Sequence, residues 1–233
     1  MYEVYAFASP NVYKVTVCLA ELGQDWLDRP VLADQGEQHS AEFLRLSPNG
    51  RVPVLIDNAP VDCGEPAVIW ESGAILFYLA EKHGRFLPER GRARNEVMKW
   101  LFWQMAGLGP MSGQNAHFLQ YNPPGSDYAQ QRYHIEVERL YRVLNRQLEG
   151  RDFIADDYSI ADMACYPWVR MHRPLQHEIG GLAALRDWVD RMNEREAVAL
   201  AYERRGRLPA LTATKQERWD AMRPERGLAA LGG

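Results

Sequence analysis

Apolar residues recur along this chain first at short, mixed spacings and then at helical spacing, and the change divides it. Tyr2 to Phe7 is an apolar, strand-like run. From Pro10 to Gly23, Val12, Val15, Leu19 and Leu22 fall on one helical face, and Gly23 supplies a stop. RPVLAD (29 to 34) reads as strand, and SAEFLRLSP (40 to 48) as a short helix ended by Pro48. RVPVLID (51 to 57) and PAVIW (66 to 70) read as strands around a turn with Asn58, Pro60 and Gly64. ESGAILFYLAEKHG (71 to 84) reads as a helix closed by Gly84. The order βαβαββα predicts a small mixed sheet with helices packed on it.

Beyond this point strand signals stop. GRFLPERGRAR (84 to 94) reads as an interdomain linker, and the remainder of the chain is helical. One helix is predicted over Asn95 to Met105, and GLGPMSG (107 to 113) interrupts the pattern with three glycines and a proline. Residues 129 to 148 carry Val137, Leu140, Tyr141, Leu144 and Leu148 in helical register. A further helix starts at Ser159, and another covers about Leu182 to Arg195. From Gly206 the chain is polar and arginine-rich, a tail with a helical turn or two around Lys215 to Met222. The expected domains are therefore 1–83 and 95–205, with a linker at 84–94 and a tail at 206–233. No internal repeat is visible.

Composition narrows the classes. Of 233 residues, 46% are hydrophobic and 25% charged, ample for a core in a soluble protein. A net charge of -4 and the lack of a basic run argue against nucleic acid as the main partner. No window approaches the ~18 apolar residues of a membrane span. The start, MYEVYAFASP, lacks the charged and apolar regions of a signal peptide. Cys18, Cys63 and Cys165 are odd in number and far apart, which suits a reducing cytoplasm. His172 and His177 stand five apart, not the four that places two ligands on one helical face, so the spacing does not support a metal site.

The candidate chemistry begins at ASPNVYKV (8 to 15), a strand-to-helix turn. Ser9 and Pro10 read as N-cap and first helical residue. In a redox fold a reactive cysteine often sits in this turn, yet Ser9, Pro10, Asn11 and Val12 include none. Ser159 and Asp162 form an S-x-x-D capping box, with Tyr158 and Met163 as a flanking staple. Pro53 inside a strand-like run implies an edge strand, a bulge or a cis Val52–Pro53 bond, and the residues alone leave these open. Glu71 and Ser72 open a helix; they could cap it, or hold the ammonium and carboxylate ends of an amino acid. QMAGLGPMSGQNAHF (104 to 118) could line a pocket. Ser112 lies in G-P-M-S-G, which is no nucleophile elbow, and GLG follows no strand, so it is no dinucleotide fingerprint.

Taken together, RVPVLID, ESGAILFYLAEK and SIADMACYPW resemble the cytosolic glutathione transferases over residues 1 to about 200. SPN near the start, GEQHSAEFLRLSPNGRVPVLID, WLFWQMAGLGPMSGQNAHF and YAQQRYHIEVERLYRVLNRQLE are most similar to the nu class, which contains bacterial glutathione-dependent disulfide-bond reductases. The resemblance implies an α/β thioredoxin-like N-terminal domain, which binds glutathione, joined to an all-α C-terminal domain. It implies that Asn11 contacts the glutathione sulfur and that Ser9 replaces a threonine while keeping its hydroxyl. It implies peptide binding by Gln38, and by Arg51 in place of lysine. Val52, before a cis proline, would pair its backbone with the cysteinyl part. Glu71 and Ser72 would clamp the γ-glutamyl end, and Arg132 would reach the neighbouring subunit's site in a homodimer. The tail from Gly206 has no counterpart in the resemblance.

With no cysteine in the turn, the thiolate that attacks a disulfide must come from bound glutathione. The expected activity is therefore disulfide reduction with glutathione as co-substrate and no metal. Conjugation of glutathione to electrophiles, peroxide reduction, and a non-catalytic binding protein are the alternatives.

Overall fold

The computed structural model describes residues 1–62, 64–121, 125–204 and the single positions 208, 220 and 229. It divides into two compact units: Met1–Ile75 together with the residues from Leu200, and Leu76–Ala199.

The first unit is built on four strands: β1 (Tyr2–Ala6), β2 (Trp26–Pro30), β3 (Val54–Asp57) and β4 (Ala67–Trp70). Their order in the sheet is β2-β1-β3-β4. β1 pairs parallel with β2 and antiparallel with β3, and β3 pairs antiparallel with β4. Alternation along β1 sends Tyr2, Val4 and Ala6 inward, as a period of two requires. Helix α1 (Pro10–Glu21) is buried at every position from Val12 to Leu19, more than its one apolar face predicts. α2 (Ala41–Leu46) is capped by Ser40, and α3 (Ser72–His83) begins in this unit. Val31, Phe43 and Val54 form a small core, with Tyr5, Leu46 and Val52 packed against it.

The structure corrects one expectation in this unit and decides between the alternatives at Pro53. Of RPVLAD only Arg29 and Pro30 are strand: β2 starts earlier, at Trp26, and Ala33–Gln35 is a 3-10 turn. Only Trp26 of β2 is buried, and its exposed Leu27 and Arg29 hide the strand from a hydrophobic pattern. Pro53 is not on an edge strand, because β3 lies inside the sheet. The ladder starts one residue later, at Val54, so the proline takes no donor from it, and the Val52–Pro53 bond is cis.

The stretch from Leu200 to Arg204 also belongs to this unit. Arg204 bonds the Asp28 carboxylate at 2.9 Å and the Trp26 carbonyl at 2.8 Å, with its guanidinium 3.9 Å from the Trp26 ring centroid. Both side chains of the ion pair are mostly buried. A charge-assisted bond of this kind stabilises by roughly 1.5–3 kcal/mol. The Tyr202 ring stacks on Tyr13 of α1 at 4.1 Å. Residues just before the predicted tail thus hold both β2 and the first helix.

The second unit is helical: α4 (Gly91–Trp103), α5 (Gly109–Tyr121), α6 (Asp127–Leu148), α7 (Ile160–Val169) and α8 (Ala183–Asn193), with α9 (Glu196–Glu203) following. α4 starts at Gly91, so its first turn takes in the last residues of the predicted linker. The expected break at 107 to 113 is absent. Gln104–Leu108 form a π turn that leads straight into α5, whose second residue is Pro110. Gly109 packs closely there: a Cβ would lie 2.7 Å from Gln104 Nε2 and 3.3 Å from the Gln104 carbonyl, so a side chain would have to displace the Gln104 amide. α9 follows α8 after a short break and was not expected. The turns expected at 215 to 222 lie almost wholly outside the described residues.

α6 buries the five residues read from its period, and ion pairs Glu136–Arg139 and Glu138–Arg142 mark its solvent face. α7 is buried at all ten positions and forms the centre of the unit. Its start carries the full capping box of Ser159 and Asp162.

Candidate functional site

The sheet brings most of the candidate residues to one of its ends. β1 finishes at Ala6, three residues before Ser9. β3 begins there too, since Val54 pairs with Tyr5 and follows Val52–Pro53 directly. β4 also finishes there, since Trp70 pairs with Val54 and precedes Glu71. Ser9, Val52 and Glu71 therefore leave the sheet from the same edge.

Ser9 is the N-cap of α1, with extended backbone, and its Oγ accepts the Val12 N–H at 3.4 Å. That bond uses a lone pair and not the hydroxyl proton, so capping and donation to a ligand are compatible. Ser9 and Asn11 are both half-buried at the positive end of the helix.

The loop before β3 is tied to both of its neighbours. Ser47 Oγ donates to the Arg51 carbonyl at 3.1 Å and accepts the Arg51 N–H at 3.4 Å. Gly50 has φ +60°, and a Cβ there would lie 3.2 Å from the Gln38 carbonyl, so glycine lets the loop sit against the 3-10 turn Glu37–His39. Asn49 Nδ2 donates to Glu71 Oε1 at 3.2 Å. Gln38 is 5% exposed, and its Oε1 is buried without a hydrogen-bond partner among the described residues. An orphan buried acceptor costs about 1–3 kcal/mol, which a ligand N–H would offset. Arg51 is exposed and Val52 half-buried.

Glu71 has φ 70°, a left-handed conformation that a side chain rarely adopts. Its carbonyl accepts the Ile75 N–H at 2.9 Å, which starts α3. The turn leaves the Glu71 side chain exposed beside Ser72, which is 4% exposed and receives a bond of 3.2 Å from the Nζ of Lys14. A carboxylate and a hydroxyl at a helix N-terminus can hold an ammonium and a carboxylate a few ångströms apart.

Arg132 belongs to the other unit. It lies on α6, exposed, and lines an open cleft of about 520 Å³ with Met111, Tyr128 and Glu136 among others. Of the stretch 104 to 118, Met111 alone lines that cleft. Two residues escaped the sequence reading: Asn49, which holds Glu71, and Lys14, which holds Ser72. A lysine inside the apolar run VYKVTVCL was the available signal for the second.

Known proteins share this architecture. The family model for the N-terminal domain of glutathione S-transferases matches residues 1–81, and that for the C-terminal domain matches residues 114–196. The disulfide-bond oxidoreductase YfcG of Escherichia coli is 43% identical over 202 residues, covering 86% of this chain and 94% of the relative. The disulfide-bond oxidoreductase YghU of the same organism is 39% identical over 71% of this chain, which spans 59% of that relative's length. A glutathione transferase from Pseudomonas putida, solved with one glutathione disulfide bound per subunit, superposes with a TM-score of 0.79 at 34% identity, covering 86% and 90% of the two chains. A family member from Pseudomonas fluorescens, solved with two glutathione bound, gives 0.79 at 33% identity over 87% and 92%.

Proposed function

The chain belongs to the glutathione S-transferase family, and on that premise we propose that it is a glutathione-dependent disulfide-bond oxidoreductase of the nu class. The observation that carries the reading is the sheet edge where Ser9, Val52–Pro53 and Glu71–Ser72 meet at a turn without cysteine. Relatives named for the same activity, and solved neighbours holding two glutathione or its disulfide, support it.

Glutathione carries one ammonium, two carboxylates and a thiol. Glu71 takes the ammonium, while Ser72 and the first turn of α3 take the adjacent carboxylate. The Val52 backbone pairs with the cysteinyl part, Gln38 Oε1 accepts a peptide N–H, and Arg51 faces the remaining carboxylate. The thiol then lies at the start of α1. Donors from Ser9 and Asn11, with the positive helix end, favour the thiolate and lower its pKa.

The thiolate attacks a small disulfide: a bond forms from glutathione sulfur to one substrate sulfur, and the other departs as thiolate. A second glutathione thiolate attacks the glutathione sulfur of the mixed disulfide. The reduced substrate leaves, and the two glutathione sulfurs leave as glutathione disulfide. No protein sulfur enters either step.

The protein is read as a cytoplasmic homodimer. Among the described residues, no helix is long and apolar enough to cross a membrane. Phe102 on α4 and Tyr128 and Ile135 on α6 are 64%, 74% and 56% exposed, apolar surface that a second copy would cover. Arg132 would then serve the partner's glutathione. Sedimentation at micromolar concentration should return the mass of two chains; a one-chain mass contradicts the dimer.

The activity is tested by turnover with glutathione on three substrates: a small disulfide, an aryl halide and an organic peroxide. Disulfide reduction should exceed the other two rates by about tenfold or more. Faster conjugation or peroxide reduction would replace the proposed activity with that one. Glutathione binding without turnover on any of them would make the protein a binding module.

A further inference from the structure

We propose that Asn49 is a positioning residue that presents the Glu71 carboxylate, with its charge intact, to the ammonium of glutathione. The inference rests on the glutathione reading above and extends it to a residue outside the clamp.

Residues 47 to 50 form a turn closed by the Gly50 N–H, which donates to the Ser47 carbonyl at 2.8 Å. Pro48 and Asn49 are its two central residues, and the fixed φ of proline suits the first of these places. Both ends of the turn are held. Ser47 is buried and bonded to the backbone of Arg51, and Gly50 is buried close to the Gln38 carbonyl. Asn49 between them is exposed. An asparagine in a turn commonly bonds its own backbone two residues on. Here Nδ2 instead donates to Glu71 Oε1 at 3.2 Å, across 22 positions of sequence. A fixed turn thus carries one amide to the residue before α3.

The chemistry of the partner carries the inference. A carboxylate only accepts, so the amide gives it a proton and fixes one oxygen. The amide is neutral, so it orients Glu71 without cancelling its charge. A lysine or arginine would hold the carboxylate as firmly, but would already occupy it as the ammonium of a ligand does. Among the described residues, Asn49 is the only side chain bonded to the Glu71 carboxylate. Oε2 is left for the ligand. Without the amide, the exposed Glu71 side chain would be ordered only as the ligand binds. Ordering one long side chain weakens binding by about threefold to tenfold. If Asn49 served only to shape the loop, its loss would also disturb the Val52 backbone. Every peptide that pairs there would then weaken alike.

The experiment compares two peptides by calorimetry. One is reduced glutathione. The other is glutaryl-cysteinylglycine, which lacks only the amino group of the γ-glutamyl end. The unaltered protein should bind glutathione more tightly than the analogue. Asn49 has no positive φ, so alanine fits its backbone. Asn49→Ala should weaken glutathione by about threefold to tenfold and leave the analogue within about twofold. Asn49→Lys should pair with Glu71 and weaken glutathione further, by about tenfold or more, again sparing the analogue. An equal loss for both peptides, no loss, or a lysine variant that binds glutathione no worse than the alanine variant overturns the role of Asn49. Each of these leaves the glutathione reading standing. Equal binding of the two peptides by the unaltered protein removes Glu71 from the clamp, and this inference with it. No glutathione binding by the unaltered protein overturns the whole reading.

Discussion

Asp162→Ala is expected to lower the stability of the protein by about 3–5 kcal/mol, a large part of what a typical domain has. The carboxylate is completely buried at the first turn of α7 and accepts four hydrogen bonds. Oδ1 takes the Ile154 N–H and the Trp188 indole N–H, each at 3.0 Å. Oδ2 takes the Ser159 N–H at 3.0 Å and its hydroxyl at 3.2 Å. Alanine would strand these donors in the interior, and each stranded donor costs more than its bond contributed. One side chain thus joins the loop before α7, the cap of α7 and a core residue of α8. Ser159→Ala, which loses only its hydroxyl, should cost about 1 kcal/mol.

The same carboxyl gives a pH signature. Burial pushes it up to about 6, against the pull of its four donors. In the unfolded chain it titrates near an ordinary value of about 4. Between these limits the folded state binds more protons, so this group's contribution falls as pH rises from about 4 to about 6. Asp162→Asn has no such titration. Its penalty relative to the unaltered protein should shrink as pH is raised through that window. Urea unfolding at several pH values would read it, and a penalty that stays constant or grows contradicts the assignment.

Glu71→Ala is expected to raise the KM for glutathione by about 10–100-fold with a smaller change in kcat. On the proposed reading the ammonium at Glu71 would lie far from the reacting sulfur, so its grip would be the same in ground and transition states. Glu71→Gly separates the two roles of the position. Glycine adopts a positive φ without strain, so this variant should be more stable by about 1 kcal/mol while binding glutathione as poorly as the alanine variant. A glycine variant that gains stability and keeps its affinity would remove Glu71 from the site. Equal losses of kcat and kcat/KM would move its contact from binding to the chemical step.

What could be read from sequence was what is coded locally. The stripe on α6 and the box at Ser159 and Asp162 are set by neighbours three or four positions apart. β2 was misplaced because its strand character comes from pairing with β1, while Leu27 and Arg29 face outward. GLGPMSG looked like a break because glycine and proline are poor helix formers. The helix nevertheless runs on through it, by way of the π turn Gln104–Leu108 and with the backbone of Gly109 close against Gln104. At the site, Ser9, Glu71 and Ser72 are visible as helix starts, and the family resemblance makes them expected ligand contacts. The bonds Asn49–Glu71 and Lys14–Ser72 span 22 and 58 positions, and the positive φ of Glu71 leaves no mark in its residue type. Partners of that kind are set by the fold and not by local spacing.

On the proposed mechanism the reacting sulfur belongs to glutathione and not to the protein. Cys18 and Cys165 are buried, and Cys63 lies outside the described residues. The direct measurement is glutathione-dependent reduction of a small disulfide by a variant with all three cysteines replaced by alanine. With its circular dichroism unchanged, that variant should work within about threefold of the original rate, since no protein thiolate takes part. A folded variant that still binds glutathione but no longer reduces the disulfide would put the reacting sulfur on a protein cysteine.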